Sequence, residues 1–134
     1  MESIPHFTLR DENGEPLDSM FLEGMAYVLC FVPDLGDGSC DVLNGFDDIY
    51  PKLMIRNTPT LAVVPEEPSE ISAVRDRLGL KIKLLSDADG RFAEECGVSG
   101  IAGIVVGRDG GIVSRHTGAG LADAVYNSVK SLLK

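Results

Sequence analysis

Three cysteines, Cys30, Cys40 and Cys96, are the candidates for covalent chemistry in this chain. A thiolate is a strong nucleophile and a neutral thiol is not, so the surroundings of each sulfur decide what it can do. The three lie ten and fifty-six residues apart with no CxxC pair, which fits neither a disulfide scaffold nor a zinc site. His6 and His116 are isolated and are expected at the surface, so no metal centre is expected either. There is no P-loop and no GxGxxG after a strand, and no cofactor is expected. Cys30 sits inside the apolar stretch 26–32, where a buried structural thiol is the default. Cys96 closes a short helical stretch just before Gly97, again a packing position by default. Cys40 differs. It opens a stretch whose apolar residues Val42, Phe46, Ile49, Tyr50 and Leu53 have helical spacing. A sulfur in that first turn faces free N–H groups and the positive end of the helix dipole, which favour a thiolate.

The charge pattern opposes this. The chain has 134 residues, with 12 Lys+Arg against 21 Asp+Glu and a formal charge of −9. Between residues 11 and 51 there is no Lys or Arg, yet ten of the 21 acids lie there. Asp34, Asp37 and Asp41 flank Cys40 in sequence. The helix dipole is worth about 0.3–1 kcal/mol at an exposed site. A carboxylate about 4 Å away costs of order 1–4 kcal/mol at effective dielectrics between 80 and 20. On this balance the Cys40 thiol is expected to be pushed up and mostly neutral. The same acidity argues against nucleic acid and anionic membrane as partners. The longest apolar run, 25–32, falls far short of a membrane span. The opening Met-Glu-Ser-Ile-Pro lacks the basic and apolar stretches of a signal peptide, so the expected compartment is the cytoplasm.

The elements that must hold these residues read as one domain over 1–134. Residues 7–9 predict a short strand, and Asn13-Gly14 a turn after it. The run 26–32 predicts a buried central strand, ended by Pro33. A helix follows, expected to kink or stop near Tyr50 because Pro51 lacks an N–H and clashes with the Asp47 carbonyl. A second buried strand spans Thr60–Val64, and a helix runs from about Pro68 to Leu78-Gly79. Residues 82–85 predict a strand and 91–96 a short helix, with Ser86-Asp87 as its turn and cap. Arg108-Asp109-Gly110 between two β-branched runs marks a hairpin. A last helix is expected over 121–133. The order predicts an α/β fold, a mixed sheet with helices on both faces.

On these residues the chain resembles the peroxiredoxins, most closely the bacterioferritin comigratory protein type of the alkyl hydroperoxide reductase/thiol-specific antioxidant group. The resemblance lies in Ile4-Pro5-His6-Phe7-Thr8-Leu9 with Asn13-Gly14, in Val28-Leu29-Cys30-Phe31-Val32-Pro33, and in Leu78-Gly79-Leu80. It continues in Leu84-Leu85-Ser86-Asp87-Ala88-Asp89-Gly90 running into Gly97-Val98, and in Val106-Gly107-Arg108-Asp109-Gly110 with Ile112-Val113. It implies a thioredoxin-like fold. It implies the family pattern Pro-x-x-x-Thr-x-x-Cys, which places Pro33 as the loop-shaping proline, Cys40 as the peroxidatic cysteine and Asp37 at the Thr position. The family Arg falls at Ile101. A resolving cysteine five residues after Cys40 would be Gly45, which leaves Cys96 or an external thiol. Ala102 stands where thioredoxins carry a cis-proline, so a trans bond is expected there.

The activity implied is a thiol-dependent peroxidase, an antioxidant oxidoreductase of redox homeostasis. Its partners are a hydroperoxide substrate and an external thiol reductant, in a possible homo-oligomer. With Asp37 and Ile101 in place of Thr and Arg, low activity is expected unless another Arg, such as Arg91 or Arg115, enters the site. Asp37 is expected to cap the helix or, less simply, to act as a base, and Asp47-Asp48 to form a solvated helix face. The rival expectation is a non-enzymatic thioredoxin-fold module with a decayed site, acting through protein association.

Overall fold

In the computed structural model, which describes residues 2–132, the order of elements is β1 (Thr8–Asp11), β2 (Pro16–Asp18), a 3-10 turn (Ser19–Leu22), β3 (Tyr27–Phe31), α1 (Asp37–Ile55), β4 (Thr60–Val64), α2 (Pro68–Leu78), β5 (Lys83–Ser86), α3 (Arg91–Glu95), β6 (Ala102–Val106), β7 (Ile112–His116) and α4 (Leu121–Leu132). The strands form one seven-stranded sheet in the order β2-β1-β5-β4-β3-β6-β7. β3, β4 and β5 are parallel, while β1, β6 and β7 pair antiparallel to their neighbours. This is the expected mixed sheet. The end of the last helix expected from the sequence, Leu133, lies outside the described residues. β2 and the 3-10 turn are additions to the expected pattern, made by a hairpin that pairs Leu9 with Leu17.

The central strands β3, β4 and β6 are buried at every position, which is why they read as continuous apolar runs. Alternation along them builds two cores. Val28, Cys30, Ala62, Val64 and Val105 face α1, α2 and α4. Leu29, Phe31, Leu61, Val63 and Ile104 face the other way, toward Phe7, Phe92 and Cys96. Phe92 is the hub there, its ring 4.6 Å from Phe7 and 5.9 Å from Phe31 between centroids. The same-side placement of α1 and α2 follows from topology. Strands β3, β4 and β5 are laid down in one direction across the sheet, and right-handed crossovers then put both connecting helices on one face.

α1 does not stop at Pro51. It carries the proline inside the helix and ends at Ile55. Past the proline the helix still buries Leu53 completely, and that burial offsets the missing hydrogen bond. No peptide bond among the described residues is cis, Ala102 included.

α4 crosses the sheet where β6 has no side chain. A Cβ on Gly103 would lie 2.8 Å from Val125 Cγ2 and 3.4 Å from both Leu121 Cδ1 and Phe46 Cζ. Gly103 therefore sets how closely α1 and α4 approach the sheet. Gly103→Ala is expected to cost about 1–3 kcal/mol by overpacking. Urea unfolding measures this directly, and a variant as stable as the parent would contradict it.

Candidate functional site

Cys40 sits in the first turn of α1, as expected, and is buried at 8% exposure. Its side chain belongs to the core on the α1/α2/α4 face. Its N–H is already committed to the Gly36 carbonyl at 2.9 Å, so it is a helical donor rather than a free one. The sulfur has two polar neighbours. Its S–H points at the Leu35 carbonyl, 3.5 Å away. Opposite in sense, Nη2 of Arg77 donates to the sulfur across 3.6 Å. The carbonyl can only accept from a thiol, and the guanidinium can only donate to sulfur, so the two contacts serve the two protonation states.

Arg77 lies in the last turn of α2, and among the described residues it makes no ion pair with a carboxylate. The arginines named as candidates from the sequence go elsewhere. Arg91 pairs with Glu95 at 3.4 Å. Arg115 pairs with Glu2 at 2.9 Å and donates to the Cys96 carbonyl at 2.8 Å. Ile101, at the position where the resemblance implies Arg, is half-buried and packs on the same core as Cys40.

Arg77 has a positioning partner. Asp47 is not part of a solvated face: its Oδ1 accepts the backbone N–H of Lys81 at 2.6 Å and of Ile82 at 3.1 Å. These two bonds pin the α2–β5 connection, and with it the end of α2, against α1. Asp48, by contrast, is exposed. The sequence reading missed Arg77 and Asp47. Its one available signal was the basic last turn of α2 beside a helix on the same face. Nothing in the spacing said that Arg77 rather than Arg75 would reach the sulfur.

The loop before Cys40 is organised by Asp34, not Asp37. Asp34 Oδ1 accepts the Gly36 N–H at 3.0 Å and the Ser39 hydroxyl at 2.8 Å. Those bonds, the backbone one foremost, hold its carboxyl below the usual carboxylate range. Asp37 is the first residue of α1, exposed, and gives no side-chain cap; the N-cap is Gly36. Pro33 stands exposed directly after the central strand. Asp87 does cap the next helix, taking the N–H groups of Phe92 and Ala93 at 3.0 Å each.

The other two cysteines are packed away. Cys30 is fully buried, and burial pushes its thiol far up. Cys96 lies in the opposite core, with the sheet between it and Cys40. Burial pushes its thiol up to about 12 against the opposing pull of Arg115. A Cys40–Cys96 bond therefore requires one side chain to leave its core. Among the described residues no group of three His, Cys, Asp or Glu gathers to hold a metal ion, and no helix is long and apolar enough to cross a membrane.

Three outcomes follow. Iodoacetamide should label Cys40 first, with Cys30 and Cys96 labelled only on unfolding, as peptide mass spectrometry resolves. The buried thiols ionise only in the unfolded chain once pH passes the free-thiol value of about 8.5. Their raised values thus give stability that is full below that pH and is lost as pH climbs toward 12. The urea midpoint should be lower at pH 10 than at pH 7. Asp47→Ala leaves two backbone N–H groups without their acceptor and should cost about 1–3 kcal/mol. It should also slow Cys40 alkylation at neutral pH by freeing Arg77; unchanged alkylation would separate Asp47 from the site.

The profile of the AhpC/TSA family matches residues 1–116. Peroxiredoxin Q of Populus jackii is 27% identical over 129 residues, covering 95% of this chain and 59% of the relative. Peroxiredoxin Bcp of Escherichia coli K12 is 28% identical over 97 residues, covering 72% of this chain and 62% of the relative. The chain thus spans about three fifths of the length of these curated relatives. The bacterioferritin comigratory protein of Xanthomonas campestris shares the fold, with a TM-score of 0.89 at 20% identity, covering 96% of this chain and 92% of that one.

Proposed function

The chain belongs to the AhpC/TSA family, and on that premise we propose that it is a thiol-dependent peroxidase whose reactive atom is the Cys40 sulfur. The observation that carries the proposal is the Arg77 guanidinium 3.6 Å from that sulfur. It supplies, from a different helix, the cation that Ile101 does not. The thiolate attacks one oxygen of a hydroperoxide. An S–O bond forms and the O–O bond breaks, the sulfur is oxidised by two electrons to a sulfenic acid, and the alkoxide leaves and takes up a proton as alcohol. An external thiol then attacks the sulfenic sulfur, releasing water, and a second thiol reduces the mixed disulfide. The external route is favoured because Cys96 lies across the sheet.

Arg77 serves two steps. It stabilises the thiolate before attack and faces the oxygen that gathers negative charge as the O–O bond stretches. The apolar Leu35 and Ile101 on the Cys40 core suit an organic hydroperoxide. The Xanthomonas relative is described for alkyl peroxide reduction. Asp37, exposed and without a capping bond at the first position of α1, adds a negative charge at the start of the helix that carries Cys40, and a low rate is the expected consequence of a carboxylate at that position. A reducing compartment such as the cytoplasm suits a cycle that depends on external thiol.

Stopped-flow measurement of Cys40 oxidation by cumene hydroperoxide and hydrogen peroxide tests this reading. Cys40→Ser should abolish it. Arg77→Met should slow it about tenfold, since hydrogen bonds to charged groups contribute about 1.5–3 kcal/mol and this one is half-exposed. Oxidation of the parent no faster than free cysteine would favour the association module with a decayed site.

A further inference from the structure

A cavity of about 440 Å³ opens at the end of the sheet opposite Cys40. Tyr27, on its wall, begins β3, and Cys40 follows the other end of that strand. Three segments enclose the space: residues 3–6, the 3-10 turn with Glu23, and the turn between β6 and β7. Hydrogen bonds tie these segments to one another. The Ile4 N–H donates to the Gly110 carbonyl and the Gly24 N–H to the Arg108 carbonyl, each at 3.1 Å. The Phe7 N–H donates to Ser19 Oγ, also at 3.1 Å. The frame of the cavity is therefore fixed largely by backbone.

Its polar groups are short of partners. Tyr27 is 4% exposed and packs in the Phe7/Phe92 core. Its hydroxyl makes no hydrogen bond among the described residues, although a buried tyrosine hydroxyl ordinarily finds a partner. Burial pushes the phenol up to about 12, so at neutral pH it keeps its proton and remains a donor. Ser19 Oγ accepts the Phe7 N–H, which leaves its own proton undirected. Arg108 makes no ion pair among the described residues. A phenol, a hydroxyl and a guanidinium with nothing to donate to match the oxygens of a carboxylate. Two acids line the same space. Glu23 is without an ion pair among the described residues, and Asp109 commits only Oδ1, to the Gly111 N–H at 2.9 Å. His6 is already joined to Asp18 at 2.8 Å. Two anionic acceptors beside three donors favour a zwitterion over a simple anion. Ile4 and Leu22 add an apolar wall.

We propose that this cavity binds a free α-amino acid with an aliphatic side chain. The carboxylate takes the donors of Tyr27, Ser19 and Arg108. The ammonium meets Glu23 and Asp109, and the side chain lies on Ile4 and Leu22. The volume is that of a small-molecule site. A ligand held there bridges three segments of the fold and stabilises the folded chain over the unfolded one. The inference goes beyond the peroxidase reading and does not depend on Cys40.

Isothermal titration calorimetry on the full chain with L-leucine, isocaproate and isoamylamine tests it, with backbone amide shifts as a second readout. Isocaproate keeps the leucine side chain without the ammonium, and isoamylamine keeps it without the carboxylate. L-leucine should bind, and each analogue should bind at least tenfold more weakly. Tyr27→Phe removes one oxygen and Arg108→Met one charge at an exposed position. Each should weaken L-leucine at least tenfold and leave the far-UV spectrum unchanged. The shifts should gather at Ile4, Gly24 and Gly110. L-leucine that gives neither heat nor shifts at millimolar concentration overturns the proposal. So does either analogue binding as tightly as L-leucine, either variant leaving binding unchanged, or shifts that gather around Cys40.

Discussion

The seating of one stripe of α1 on the sheet is the constraint on which the rest of this molecule depends. Cys40, Leu43, Phe46, Ile49 and Leu53 are all buried along it. The stripe is anchored at one end by Leu53 beyond a proline and at the middle by Phe46 against the bare backbone of Gly103. Its other end is Cys40. The sulfur is therefore placed by helix packing and is held with the precision of a core residue, although it lies one turn from a solvent-exposed loop. Burial of several apolar side chains, each worth about 1.5–3 kcal/mol, outweighs the hydrogen bond lost at Pro51.

The second consequence of that seating is electrostatic. In sequence, residues 11–51 contain ten acids and no base. In space the stretch is answered from the α2–β5 segment. Lys83 pairs with Asp11 at 3.0 Å, Arg75 with Glu12 at 3.1 Å, and Arg77 reaches Cys40. Asp47 is satisfied by two backbone N–H groups of the same segment. Burial alone would raise the Asp11 carboxyl, yet Lys83 and the N–H groups of Asn13 and Glu15 bring it below its ordinary value. Opposite charges and N–H dipoles from one adjoining segment thus answer Asp11, Glu12 and Asp47, three of the ten acids in a stretch that looks unopposed along the chain. The cation at the sulfur is part of that arrangement, because the contacts that neutralise the acids also fix the end of α2.

Much of the fold was legible because the signals were local. Continuous apolar runs marked β3, β4 and β6, Asp109-Gly110 marked the last hairpin, and Asp87 announced the cap of α3. The helix that crosses Pro51 was less legible, since the intrinsic penalty of proline is local while the burial that overrides it is not. Asp37 and Asp34 show the same limit at closer range. Both are acids near a helix start, and only the path of the loop selects Asp34 as the one whose oxygen meets Gly36 and Ser39.

The sequence by itself determined the chemical type of the candidate group and its local setting: a cysteine in the first turn of a helix, after a buried strand, in an acidic stretch. Those are properties of neighbours along the chain, and residue type and periodicity encode them. Only the tertiary structure decided which cation meets the sulfur and which cysteine is shut away from it. Arg77 is 37 residues from Cys40 and Cys96 lies in the opposite core. Distances of that kind are set by crossover handedness, by the order of strands and by the anchoring of one helix on another. The charge pattern along a chain carries none of these, because Coulomb energy depends on separation in space and not in sequence.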